Sequence, residues 1–147
     1  MKKRTIPLLI GILFCSFLMG GCGAEGQTLQ GGEWEMKTVS SMDTGAVIAV
    51  SESAKACAPE APVRSVFCRT ENGKIWVSDA STGETWPGEY SRMRNAALFG
   101  DFYTVSFGNG EPVQAVVSET VYADGKRAPT LVLSDTQYAV CFQLLPG

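Results

Sequence analysis

The chain has 147 residues, with 12 lysines and arginines against 15 acids, a formal charge of −3 and no histidine. The missing imidazole excludes Ser-His-Asp and Cys-His nucleophile activation, together with every metal site that needs histidine. The acidic balance argues against a nucleic-acid partner, which selects a clustered basic surface, and the length suits one domain.

In chain order, the first segment is an address. Lys2, Lys3 and Arg4 open the sequence, and Ile6 to Met19 is a nearly unbroken apolar run leading to Gly20-Gly21-Cys22. A positive start, an apolar middle and small residues before a cleavage point make a secretory signal. The segment resembles a bacterial lipoprotein signal peptide, with Met19 at the position where such signals usually carry Leu. That resemblance implies cleavage before Cys22, a palmitate-type lipid on Cys22, and a protein held at the extracytoplasmic face of a membrane. Two or three acyl chains anchor stably where one is marginal. The alternatives are a cleaved signal without a lipid, or an uncleaved anchor helix, since Thr5 to Ala24 carries no charge. Losing the segment removes three cations and no acid, which argues against a polybasic grip on lipid headgroups.

The expected organisation is a signal peptide over residues 1–21, a lipidated cysteine with a Gly-rich tether over 22–32, and a β-domain over 33–147. Gly23 to Gly32 (GAEGQTLQGG) has four glycines, and ten residues of such coil span about 17 Å root-mean-square. From Glu33 onward, apolar and polar residues alternate between turn residues. Strands are expected at Glu33–Val39, Ala46–Val50, Val63–Thr70, Lys74–Asp79, Glu84–Tyr90, Phe102–Phe107, Val113–Tyr122, Thr130–Ser134 and Tyr138–Phe142. Asn72-Gly73, Asn109-Gly110 and Asp124-Gly125 mark hairpins. The Ala-rich start of Ser53–Pro62 permits one helical turn before Pro59 and Pro62 end it. Ser91–Gly100 reads either as a helical turn or as an extended connection. Eight or nine short strands without a 3.6-residue apolar period give an all-β fold, an antiparallel up-and-down barrel with at most one or two helical turns.

Alternation assigns faces. Tyr138, Val140 and Phe142 share one side of the last strand, as do Tyr103, Val105 and Phe107 on an earlier one and Ile75 and Val77 on another. Gly32-Glu33-Trp34, opening the first strand after a loose N-terminus, resembles the G-x-W start of lipocalin barrels. The hairpins that follow resemble the small bacterial lipocalin-like domains carried by lipoproteins. The likeness spans roughly Gly32 to Leu144, and it lacks the closing-strand Arg that larger lipocalins stack on this Trp. It implies a barrel that is either filled or holds one small apolar ligand, with Trp34, Met36, Val105, Phe107, Tyr138 and Phe142 lining it.

Other groupings carry less chemistry. Asp79, Glu84 and Glu89 lie close in sequence, but strand parity turns Glu84 and Glu89 to opposite faces, so an acid–base pair is not built. Arg92 and Arg94 read as solvated loop charges. Pro87 cannot donate to a ladder and marks an edge, a bulge or a strand start. Trp76, Trp86 and Tyr90 are the candidate aromatic surface for a partner protein, with the Ser91–Gly100 loop beside them. Beyond Cys22 the chain has Cys57, Cys68 and Cys141; of the three pairings Cys57–Cys68 closes the shortest loop, and an exported compartment permits it. The expected function is thus a monomeric, membrane-anchored binding module for a small apolar ligand, without cofactor, metal or catalysis. The alternative is a cell-surface protein-interaction or inhibitor module.

Overall fold

The computed structural model describes residues 29, 31–93 and 101–146. Strands are β1 Gly32–Ser41, β2 Val47–Val50, β3 Val66–Glu71, β4 Lys74–Asp79, β5 Glu84–Arg92, β6 Asp101–Ser106, β7 Val113–Val121, β8 Arg127–Ser134 and β9 Tyr138–Leu144. Among the described residues a single 3₁₀ helix, Glu52–Cys57, interrupts them after β2. The nine strands form one antiparallel sheet in the order β2-β1-β3-β4-β5-β6-β7-β8-β9, and β1 pairs also with β9. That last ladder, from Trp34↔Leu144 to Ser41↔Tyr138, closes eight strands into a barrel and leaves β2 as an addition. The all-β up-and-down barrel read from the alternation is therefore the fold observed. Among the described residues no helix is long and apolar enough to cross a membrane.

The β3–β4 hairpin turns on Asn72 (φ 49°) and Gly73 (φ 79°). Both central residues of this tight turn are left-handed, as the twist of the flanking strands demands. At β8–β9 the Asp135 carboxylate accepts the backbone N–H groups of Gln137 at 2.7 Å and Tyr138 at 2.8 Å, which fixes that turn by a side chain.

β1 carries the main irregularity. Its first residues, Gly32–Glu35, pair with β3, whereas Thr38–Ser40 pair with β2 on the same edge. Against β9 the register jumps between Met36↔Phe142 and Thr38↔Cys141, leaving Lys37 as an extra residue. Such a bulge bends the strand and reverses the sense of its alternation. Trp34 and Met36 face the interior, and after the bulge it is Val39 that packs against the core. Thr38 turns to the outer side, where the 3₁₀ helix lies against β1 and β2.

The interior divides into two halves. Strands β3, β5, β7 and β9 end at one extremity of the barrel, where β1 begins. Leu29 is fully buried there, its N–H donating to the Tyr103 hydroxyl at 3.4 Å while its carbonyl accepts from the Tyr90 hydroxyl. Tyr90 and Tyr103 meet edge to face with ring centroids 5.7 Å apart. The Trp34 indole N–H donates to the Thr70 hydroxyl at 3.2 Å, so the ring is buried with its one donor satisfied. Ile75, Val105, Ala115, Val117 and Leu131 complete this packed plug. The expected tether is thus shorter than residues 22–32: Leu29 belongs to the core and Gly32 to β1.

Candidate functional site: the barrel mouth

The opposite extremity is not filled. Strands β1, β4, β6 and β8 end there, and between them lies a cavity of about 420 Å³. Its floor is Met36 and Phe142, and its walls are Val39, Val66, Val77, Val113, Leu133 and Val140. Phe107, Trp86, Tyr138, Ser134 and Asp135 complete the lining. Trp86 and Tyr138 remain 44% and 45% exposed, which places them on the rim rather than in the packing. An eight-stranded barrel is just wide enough for side chains or for one small ligand. Here one end takes the first solution and the other end retains the space for the second. A cavity of several hundred Å³ lined by apolar and aromatic groups, with few polar ones, is the usual form of a small-molecule site.

Strand pairing explains why the wall stays open beside Trp86. β5 pairs with β6 only from Glu89 to Arg92, so Glu84–Gly88 has β4 alone as a neighbour. Pro87 sits in this unpaired stretch, opposite Trp76 on β4, where its missing N–H takes nothing from a second ladder. Gly88 faces inward beneath Phe107. A Cβ there would lie 2.7 Å from the Phe107 ring and 2.8 Å from the Ser106 carbonyl oxygen, so only glycine admits this ring.

Of the six residues expected to line the barrel, Met36, Phe107, Tyr138 and Phe142 surround the cavity. Trp34 and Val105 are interior but belong to the packed end, at 3% and 0% exposure. Beyond those six, the lining adds the valines at 39, 66, 77, 113 and 140, Leu133, Ser134, Trp86, which was expected on a partner surface, and the rim carboxylate of Asp135. The inward parity of Val77 and Val140 was legible, whereas Val39 was hidden by the bulge. Asp135 had a local signal as the first residue of an Asp-Thr turn.

The expected aromatic surface is not one surface. Trp76 lies on the outer wall with the Arg69 guanidinium over its ring at 4.6 Å. Trp86 is at the mouth, and Tyr90 is held inside by its bond to Leu29. Alternation separates them: Trp86 and Tyr90 share the inward parity of β5, while Trp76 has the outward parity of β4. Arg94 to Gly100, the greater part of the expected contact loop, lies outside the described residues, as does Cys22 with the whole signal segment.

The expected Cys57–Cys68 disulfide is not formed. Cys68 points into the barrel and Cys57 is exposed at the end of the 3₁₀ helix, and both are free thiols with the wall of the barrel between them. Burial pushes the Cys68 thiol up to about 12. Cys141 is also free; burial pushes its thiol up to about 12 against the opposing pull of the Lys37 ammonium. It lies in the floor of an outer groove walled by Ala54 and Cys57 on one side and by Val121–Ala123 on the other. Lys37, at the edge of that groove, is held by Glu35 at 2.5 Å and by the Ser53 hydroxyl at 2.7 Å.

Compared with protein-family models, with curated proteins and with solved structures, the chain matches none.

Proposed function

We propose that this is a lipid-anchored extracytoplasmic protein whose lipocalin-like barrel binds a small apolar molecule in its open mouth, without chemical transformation. The observation that supports the reading best is the 420 Å³ cavity, whose lining is almost wholly hydrocarbon and aromatic and stays open while the opposite end is packed. A barrel serving only as a rigid spacer gains stability from filling both ends.

The anchor reading rests on the signal-like segment ending at Cys22, and the fold is compatible with it. Six residues separate Cys22 from Leu29 at the packed end, so a lipid on Cys22 sits within about 25 Å of that end. That reach lets the mouth face away from the membrane. Mass spectrometry of the N-terminal peptide from the membrane fraction should show a chain that begins at Cys22 and carries acyl mass, and an unmodified Cys22 or an uncleaved Met1 start would overturn the anchor.

Native mass spectrometry of the exported protein tests the binding. The expected result is an additional mass that disappears on denaturation and identifies the ligand. A bare chain that also fails to take up medium-chain alkyl compounds would count against the reading.

A further inference from the structure

We propose that the ligand of the mouth carries a positive charge on an apolar body, as an alkyl or aryl ammonium does, with its body in the cavity and its head at the Asp135–Trp86–Tyr138 rim. This rests on the ligand-binding reading above and adds the sign of the head group.

Three observations carry it. First, among the described residues Asp135 is the only carboxylate lining the cavity, and no lysine or arginine lines it. The two backbone N–H groups donated to Asp135 hold its carboxyl below the usual carboxylate range, so the rim charge is fixed at neutral pH. Second, the aromatic residues Trp86, Tyr138 and Phe107 line the same opening, and aromatic rings attract cations, most strongly when the cation is partly desolvated. Third, charge is unevenly placed along the barrel. The mouth turns 42–46, 80–83, 107–112 and 135–137 contain Asp43, Glu111 and Asp135, with Asp79 and Glu84 flanking one of them, and no lysine or arginine. The longer connection 51–65 is balanced, with Lys55 and Arg64 against Glu52 and Glu60. Among the described residues the packed end is balanced too, with Lys74, Arg92, Lys126 and Arg127 against Glu33, Glu71, Asp101 and Asp124, so the excess of acid is confined to the mouth.

An apolar acid such as a fatty acid would bring its carboxylate against the exposed Asp135 at this rim, and the like charges repel. A neutral compound gains the apolar contact alone. A cation gains that contact, the Asp135 charge and the aromatic rings together.

Three eight-carbon probes separate these cases: octylammonium, octanol and octanoate, titrated by tryptophan fluorescence into the full-length protein in phosphatidylcholine nanodiscs, with empty nanodiscs as the reference. The expected order is octylammonium tightest, by about three- to fivefold over octanol, with octanoate weakest. Raising the salt concentration should narrow the gap in the wild type. Asp135→Asn keeps the turn's acceptor oxygen, removes the charge, and should bring octylammonium toward octanol. Equal binding of octylammonium and octanol, or tighter binding of octanoate, overturns the charge assignment while leaving an apolar site. Failure of all three probes to bind overturns the site itself.

Discussion

The two ends of the barrel are built from the same strands and differ in what the chain does at each. At the packed end Leu29, ahead of β1, fills the opening with its backbone bonded to two tyrosines. At the mouth the connections are short turns that cross the rim without covering it, and Trp86 and Tyr138 are left half in solvent. Stability is thereby concentrated at one end and accessible apolar surface at the other. A binding barrel needs this division, because a ligand cannot enter a site whose side chains hold the fold together.

The contrast is sharpest for the two tryptophans. Trp34→Ala empties the packed end and should cost about 3–5 kcal/mol, read as a shift in the chemical-denaturation midpoint. Trp86→Ala removes a ring already 44% exposed and should cost below about 1 kcal/mol while weakening ligand uptake. Equal losses of stability from the two would mean that the mouth is core after all.

Leu29→Ala tests the plug itself. A fully buried leucine lost from a packed site should cost about 2–5 kcal/mol, although a Gly-rich stretch surrounds it in sequence. A change under about 0.5 kcal/mol would show that the N-terminal segment is a passive tether.

At the mouth, Gly88→Ala forces Phe107 off its seat on β5. It should cost about 1–3 kcal/mol by overpacking and should also alter uptake, because Phe107 is part of the cavity lining. A variant that keeps both stability and uptake would place Phe107 elsewhere.

The smallest effect is electrostatic. The Asp135 carboxyl is held below its ordinary value in the folded chain, so its stabilising contribution is present above the unfolded pKa of about 3.9 and is lost as pH falls through the folded value. The wild type should therefore lose slightly more melting temperature than Asp135→Asn between about pH 5 and pH 2. Parallel acid profiles would show that the turn does not favour the ionised form.

Much of this architecture was legible locally. Two-residue alternation located the nine strands and the inward parity of Phe107, Tyr138, Val140 and Phe142, because side-chain direction in a strand depends only on position. Asn72-Gly73 announced its hairpin for an equally local reason, the left-handed backbone that its turn requires. Four of the six expected lining residues surround the cavity for that reason.

What only the tertiary structure decided has a different physical origin. Alternation says that Trp34 and Val105 face inward, but not at which end of the barrel they lie. That depends on the stagger between strands far apart in sequence. The bulge at Lys37, which brings Val39 into the cavity and Thr38 out of it, arises because β1 must pair with β9 while changing partner from β3 to β2. No property of residues 33–41 alone encodes those neighbours. Leu29 reads as one apolar residue among glycines until Tyr90 and Tyr103, 61 and 74 residues away, hold it in the opening. The cysteines separate on the same principle. Cys57 and Cys68 are near in sequence, but one lies on a helix outside the wall and the other on a strand facing in. The sequence by itself thus determined strands, faces and turns. Barrel closure decided which end is filled, which end is open, and which inward residues a ligand can reach.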